Sequence, residues 1–350
     1  MGCLLLAILL TGMLTGCSGR RTAEDHSVGE ETVSGRPVIG LVFDSFVIER
    51  WERDRDVFVS MGKELGAEVL VGNANGEAEE QKKIISHMID RKVDVLVVVA
   101  VDGSALTDEV ERAHRAGIKV ISYDRIINNA NTDLYITFDN EAVGRYMAET
   151  INEALPDGDT YMKVNGSPED YNVTLVNRGF DASIRSDLQM IDSVSCSNWN
   201  DEEAFAYLTE HPEDIQNADA FMCGNDAIAG QVVRALAERR KAGKSVVTGQ
   251  DADLDACQRV VEGTQNMTVY KPIEDLAGKA ARCAYEMATG NRPDTEETIS
   301  DGTYEVPYIV LQPIKVTGKN MDSTVIDKGF HMEEDVYLHV RHDEGTDTDS

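Results

Sequence analysis

Asp124 and Arg125 stand side by side where the run Ile118-Lys119-Val120-Ile121-Ser122-Tyr123 stops. A run of that kind reads as a buried strand, and open α/β sheets take ligands outside the C-terminal ends of their strands. The carboxylate offers acceptors and the guanidinium a rigid fork of donors. Such a pair suits a small neutral molecule that carries many hydroxyls. It would also serve as a catalytic couple or as a surface ion pair, so the neighbouring residues must decide.

Polar residues collect at other strand ends too. Asp44 follows the first apolar run, and Arg50-Trp51 open the helix behind it. Asp170 and Asn172 follow Gly166-Ser167-Pro168, and Trp199 follows a strand near Val194. Asn225-Asp226 follow Cys223, Asp251 follows Thr248, and Lys271 follows Tyr270. Carboxylates, amides and cations that converge with an indole can hold a sugar. Planar groups bridge neighbouring hydroxyls, and the indole covers the C–H face of a ring. Plainer roles stand beside this one: Asn225 or Asp226 would cap a helix, Trp51 would pack in a core, and Arg50 with Arg53 and Arg55 would line a solvated helix face.

Other chemistries lack their residues. Asp251, Asp253, Asp255 and Glu262 fall at calcium-loop positions, but Ala256 occupies the place where the sharp turn needs glycine. The chain has no G-x-G-x-x-G, P-loop or H-E-x-x-H pattern. His87, His114 and His211 sit in helical contexts, and no Ser-His-Asp or Cys-His set is suggested. Cys196, Cys223, Cys257 and Cys283 are far apart with no C-x-x-C pair, so they read as small apolar core residues. Neither a cofactor, a metal nor a catalytic residue is expected.

The elements that would position these residues alternate. Val38-Ile39-Gly40-Leu41-Val42-Phe43 is an apolar strand, followed by a helix from about residue 50 that stops at Gly66. A strand at 68–71, a helix at 77–91, the nearly continuous apolar strand 93–101 and a helix at 104–116 follow. Strands of that composition are covered on both faces. The cycle restarts after residues 134–138, with helices predicted at 141–155, 174–189, from 201, 227–242, 254–262 and 273–288. Repeated βα alternation predicts parallel sheets. No stretch is long or Gly/Pro-rich enough to be a simple linker, so two doubly wound lobes would be joined by several short crossings. The candidates are 138–140, 270–272 and the segment around Val306. A hinge of that kind makes a cleft that closes on its ligand.

The bulk properties bound the partners. The chain has 350 residues, 42% hydrophobic and 27% charged, enough for a sizeable core in two domains. Its net charge of -30 and the lack of a basic stripe exclude nucleic acid. Residues 3–14 form an apolar run too short to span a bilayer, which matches the core of a signal peptide. It leads into Leu14-Thr15-Gly16-Cys17, which resembles the bacterial lipobox and makes Cys17 the expected lipidation site and first mature residue. A Met-Gly myristoylation signal is excluded by Leu6. Residues 18–36 read as a tether, and 333–350 as an acidic, solvated and disordered tail.

Several longer blocks carry a resemblance. Glu49-Arg50-Trp51-Glu52-Arg53-Asp54-Arg55-Asp56-Val57-Phe58, Ala74-Asn75-Gly76, Val93-Asp94-Val95-Leu96-Val97, Tyr123-Asp124-Arg125-Ile126-Ile127-Asn128, Phe138-Asp139-Asn140, Gly166-Ser167-Pro168, Asn225-Asp226-Ala227, Gly249-Gln250-Asp251-Ala252-Asp253 and above all Thr264-Gln265-Asn266-Met267-Thr268-Val269-Tyr270-Lys271-Pro272-Ile273 resemble the D-xylose-binding proteins of bacterial ABC sugar importers. The resemblance covers about residues 37–331. It implies the type I periplasmic-binding-protein fold, with a first lobe of 37–138 plus about 273–305 and a second of 139–272 plus about 306–332. It also implies a monosaccharide site of Arg50, Asp124 and Arg125 from the first lobe, to which the reading of strand ends adds Trp51. Asp170, Asn172, Trp199, Asn225, Asp251 and Lys271 would complete it from the second lobe and hinge. Ser195 to Asn200 and Tyr171 depart from the family pattern, which bears on the choice of pentose.

The expectation is therefore a monomeric, lipid-anchored extracytoplasmic receptor that captures a monosaccharide, D-xylose first, and delivers it to a membrane ABC permease. The alternative is a sensor that presents the sugar to a membrane histidine kinase or chemoreceptor. An enzyme would need a carboxylate pair or metal placed for chemistry, and a related repressor would need a DNA-binding headpiece where the lipobox stands.

Overall fold

The computed structural model describes residues 35–157 and 159–340. The apolar leader, Cys17 and most of the tether lie outside them, as do residues 341–350 of the acidic tail.

The first lobe grows from β1 (Val38–Phe43), α1 (Arg50–Glu64), β2 (Glu68–Asn73), α2 (Ala78–Asp90), β3 (Val95–Val98), α3 (Thr107–Arg115), β4 (Lys119–Tyr123) and β5 (Leu134–Phe138). β3 and β5 are buried at every position and β1 at all but its first, as strands with helices on both faces must be. β1 pairs in parallel with β2 on one side and with β3 on the other, so the strand order reverses at β1. A crevice opens at such a reversal beyond the carboxyl ends of the strands.

The second lobe repeats the scheme with α4 (Asn140–Ala154), β6 (Thr160–Asn165), α5 (Tyr171–Ser183), β7 (Gln189–Ser195), α6 (Glu202–Glu210), α7 (Pro212–Asn217), β8 (Ala220–Cys223), α8 (Asp226–Glu238), β9 (Val246–Thr248), α9 (Leu254–Glu262) and β10 (Thr268–Tyr270). β6 lies between β7 and β8, so the order reverses here as well, at β6. α4 and α5 pack backbone to backbone: a Cβ on Gly179 would stand 2.0 Å from the Glu141 carbonyl oxygen, and one on Gly144 1.9 Å from that of Val176. Any other side chain would push α5 off, and the N-terminus of α5 carries two of the candidate site residues.

The chain then returns to the first lobe. α10 (Ile273–Ala288) packs against α1, β11 (Thr298–Ser300) pairs antiparallel with β12 (Glu305–Leu311), and β12 pairs in parallel with β5. The first sheet is thus seven-stranded, in the order β11-β12-β5-β4-β3-β1-β2. β13 (Ile314–Val316) lies beside β10. β10 and β13 form a two-stranded sheet of their own, and the chain passes between the two lobes at 138–140, 270–273 and 311–314.

Four expectations need correction. The second lobe is expected to resume at about residue 306, but β12 pairs with β5 of the first sheet and the third crossing comes after it. The helix expected at 174–189 ends at Ser183, because Ile184 turns to extended backbone. The helix expected at 227–242 ends at Glu238, and the chain turns at Arg240, which is left-handed (φ 57°). The tail does not begin at residue 333. α11 (Glu333–Val336) buries Val336 among Val325, Phe330 and their neighbours, and Gln258 Nε2 donates to the Asp335 carbonyl at 2.8 Å. Just before it, His331 Nε2 donates to the Ala252 carbonyl at 2.8 Å. A run of acids hid the one apolar anchor among them. All four described cysteines are buried free thiols.

Burying an unpaired carboxylate in that anchor position is costly. Val336→Asp should lower stability by more than about 2 kcal/mol, whereas exposed Glu334→Ala should stay within about 0.5 kcal/mol. Urea unfolding of both variants reads this, and equal midpoints would show that 333–340 hangs free.

Candidate functional site

The two reversals face one another, and the loops at their carboxyl ends bring charge into a common cleft. From the first lobe, Arg50 and Trp51 open α1, Asp44 follows β1, and Asp124-Arg125 follow β4. From the second, Asp170 caps α5 by accepting the Asn172 backbone N–H at 2.9 Å. Trp199 ends a 3₁₀ turn after β7, Asp251 follows β9, and Lys271 follows β10. All of these side chains are buried.

They meet as a chain of ion pairs. Arg50 Nη2 donates to Asp124 Oδ2 at 2.7 Å, and Asn172 Nδ2 reaches across from the second lobe to Asp124 Oδ1 at 3.0 Å. Arg125 Nη1 donates to Asp44 Oδ2 at 2.7 Å, while its Nε lies 2.7 Å from Asp170 Oδ2 without hydrogen-bond alignment. Lys271 Nζ donates to Asp251 Oδ1 at 2.9 Å. The Trp51 ring lies under both guanidiniums, 4.3 Å from that of Arg50 and 5.7 Å from that of Arg125. Burial alone would raise the Asp124 carboxyl, but Arg50, Lys271 and Arg125 together hold it below the usual range. Burial wins at Asp170, which is raised despite Arg125.

Trp199 takes its place because of a glycine. A Cβ on Gly166 would stand 2.2 Å from the Trp199 ring, so the loop after β6 must leave that space open. Asn198 and Trp199 themselves adopt left-handed backbone (φ 50° and 58°), which aims the indole into the cleft.

Nine of the ten expected side chains line this cleft: Arg50, Trp51, Asp124, Arg125, Asp170, Asn172, Trp199, Asp251 and Lys271. Asn225 does not. Its Oδ1 accepts the Ile228 N–H at 3.0 Å, so it serves as the N-cap of α8. Three lining residues were not expected: Ile48, Asn140 and Gln250. Gln250 is adjacent to Asp251 within Gly249-Gln250-Asp251, and Asn140 stands in the first crossing; Ile48 carries no polar signal.

The cleft also concentrates unmet hydrogen-bonding capacity. Among the described residues, every buried side-chain polar atom without a partner except Glu109 Oε2 belongs to it or its rim. These are Asp44 Oδ1, Trp51 Nε1, Arg125 Nε, Asn172 Oδ1, Trp199 Nε1 and Gln250 Oε1. Donors and acceptors are mixed, which suits hydroxyl groups, since each hydroxyl both donates and accepts. Among the described residues no group of His, Cys, Asp and Glu could hold a metal ion, and no helix is long and apolar enough to cross a membrane.

Arg50 is held from behind by Asp54, one helical turn on. Asp54 is fully buried, accepts from Arg50 Nε at 3.2 Å and also accepts the Tyr123 hydroxyl. Burial pushes its carboxyl up to about 6 from the ordinary 3.8, against the pull of Arg50 and Tyr123. A group raised in this way binds more protons in the folded chain, so its contribution is full below about pH 4 and lost as pH rises through about 6. Asp54→Asn should therefore flatten the stability profile between those values, by at most about 3 kcal/mol. Denaturant titrations across this window measure it, and a slope equal to that of the wild type would count against the assignment.

Comparison with known proteins places this arrangement in a family. Residues 39–292 match the periplasmic binding protein domain. The chain is 39% identical over 305 residues to the D-xylose-binding periplasmic protein of Haemophilus influenzae, covering 85% of this chain and 92% of that one. It is 40% identical over 307 residues to the D-xylose-binding periplasmic protein of Escherichia coli K12, with the same coverage. Among solved structures, an ABC transporter solute-binding protein from Clostridium phytofermentans with bound β-D-glucose superposes with TM-score 0.76 at 25% identity, over 85% of this chain and 99% of that one. By that match and those identities, the chain belongs to the periplasmic binding proteins and, like these relatives, binds a ligand rather than transforming one.

Proposed function

We propose that this chain captures a monosaccharide, D-xylose first, between its two lobes and delivers it to a membrane ABC permease. The observation that carries the reading is the cluster of unmet, mixed donors and acceptors in a cleft walled by both lobes. The names of the two D-xylose-binding relatives support the choice of sugar. Charge agrees: three cations, Arg50, Arg125 and Lys271, stand among carboxylates at Asp44, Asp124, Asp170 and Asp251, which leaves no excess of positive charge to attract an anion.

The free space in the cleft is about 20 Å³, room for little more than one water. A sugar ring therefore enters as the lobes part about their crossings and the side chains exchange ion-pair contacts for bonds to its hydroxyls. Asp124 and Lys271 would turn to hydroxyls from opposite lobes, and bonds that need both lobes at once favour the closed arrangement. The indoles of Trp51 and Trp199 would cover the C–H faces of the ring.

Calorimetry with D-xylose tests the site. Asp124→Ala and Asp251→Ala should each weaken binding at least tenfold, the loss expected for a charge-assisted hydrogen bond. Wild-type affinity in both variants would sink the assignment.

Anchoring is part of the same reading. The Leu14-Thr15-Gly16-Cys17 motif supports a lipid on Cys17 that tethers the receptor on the outer side of the membrane. In cell fractionation the full chain should sediment with membranes and Cys17→Ala should move to the soluble fraction; a wild-type chain already soluble would remove the anchor.

A further inference from the structure

Asp251 reaches the cleft on backbone that few side chains tolerate: its φ is 104°, and Ala252 follows at 55°. Two successive residues of this kind persist only where their surroundings over-determine them. The Asp251 N–H, bonded to the Val269 carbonyl, fixes one point of the loop. Both flanks are fixed by a residue that does not line the cleft, Asp226.

Asp226 opens α8 and is fully buried. Its Oδ2 accepts the Asp253 N–H at 3.2 Å and the Thr268 hydroxyl at 2.6 Å, and its Oδ1 accepts from Gln265 Nε2 at 2.8 Å. Thr268 Oγ1 in turn accepts the Ala252 N–H at 3.0 Å. On the other flank, the Asp226 N–H donates to the Gln250 carbonyl at 3.0 Å. Gly249 leaves room for the carboxylate, since a Cβ there would stand 2.2 Å from Asp226 Oδ1.

The partners of this carboxylate are all donors. Gln265 cannot turn its oxygen to Asp226, because Oε1 accepts from Arg259 Nε at 3.0 Å and Nε2 also donates to the Met267 carbonyl at 3.0 Å. Thr268 accepts from Ala252, which leaves its proton for Asp226. Donors that converge on both oxygens suit a carboxylate, and an asparagine would set its amide N–H against one of them whichever way it turned. Helix capping does not account for this arrangement, because Asn225 already caps α8.

We propose that Asp226 is a positioning residue of the capture site and acts through Asp251: its carboxylate locks the 250–253 loop in the one conformation that presents Asp251 to the ligand. The inference rests on the sugar-binding reading above and adds to it a residue that the ligand never touches.

Calorimetry with D-xylose tests it on variants shown by thermal melting to be folded at the assay temperature. Thr268→Val keeps the branched shape but removes the hydroxyl that joins Asp226 to the Ala252 N–H, and should weaken binding about fivefold or more. Thr268→Ser restores the hydroxyl and should bind within about twofold of wild type. Asp226→Asn should weaken binding about tenfold or more; where it is unfolded, Thr268→Val carries the test. The loss should fade once its target is gone. In an Asp251→Ala background, Thr268→Val should weaken binding by less than about a further twofold, because residues that act as one unit are not additive. With D-xylose bound by the wild type, three results overturn the proposal: wild-type affinity in Thr268→Val, equal weakening by Thr268→Ser, or losses that multiply with Asp251→Ala. A wild type that does not bind D-xylose overturns the function proposed above, and this inference with it.

Discussion

Arg50 can be dry only because carboxylates stand on two sides of it, Asp54 behind and Asp124 in front. Taking an ion out of water costs several kcal/mol even after relaxation, and a partner offsets that only when geometry is good and the remaining donors are met. Arg125, set between Asp44 and Asp170, and Lys271, set against Asp251, obey the same constraint. The pairs are shared between lobes: Arg125 belongs to the first and Asp170 to the second. Charge matching therefore governs the inside of the cleft and the way its two walls meet.

That matching is held in place by backbone in unusual conformations. Asp124 and Asp251, on opposite lobes, both have positive φ, 62° and 104°. Each such residue costs on the order of 1–3 kcal/mol and persists where its surroundings over-determine it. At Asp124 the N–H donates to the Ile136 carbonyl at 2.8 Å, while its own carbonyl accepts from Thr137 Oγ1, Tyr135 Oη and Asn172 Nδ2. At Asp251 the N–H donates to the Val269 carbonyl at 2.9 Å. Neighbouring strands thus fix the backbone beneath both carboxylates, so that only the side chains have to turn from their ion pairs to a ligand.

Much of this was legible in the chain itself, and the gaps have physical causes. The apolar strands announced parallel sheets because both of their faces are covered, and polar residues just past them announced the cleft because that is where reversals open. Asn225 suits a helix cap and a sugar contact equally; its Oδ1 takes the cap bond from Ile228 N–H at 3.0 Å, and its side chain stands outside the residues that line the cleft. β12 misled because a strand after a long excursion carries no mark of which sheet it joins; its pairing with β5 is a contact over more than 160 residues. Val336 escaped because three acids precede it, and one buried side chain leaves no periodicity to read.

The sequence by itself determined the alternation of strands and helices, the strand-end positions of nearly all the cleft residues, and the excess of acid that excludes nucleic acid. Those properties are local: each depends on side-chain type and on spacing of a few residues. The tertiary structure decided the rest. It set which carboxylate pairs with which cation, brought Ile48, Asn140 and Gln250 into the cleft and assigned β12 to the first lobe. These depend on how two lobes meet across three crossings, and a meeting of surfaces far apart in the chain leaves no trace in the order of residues along either one.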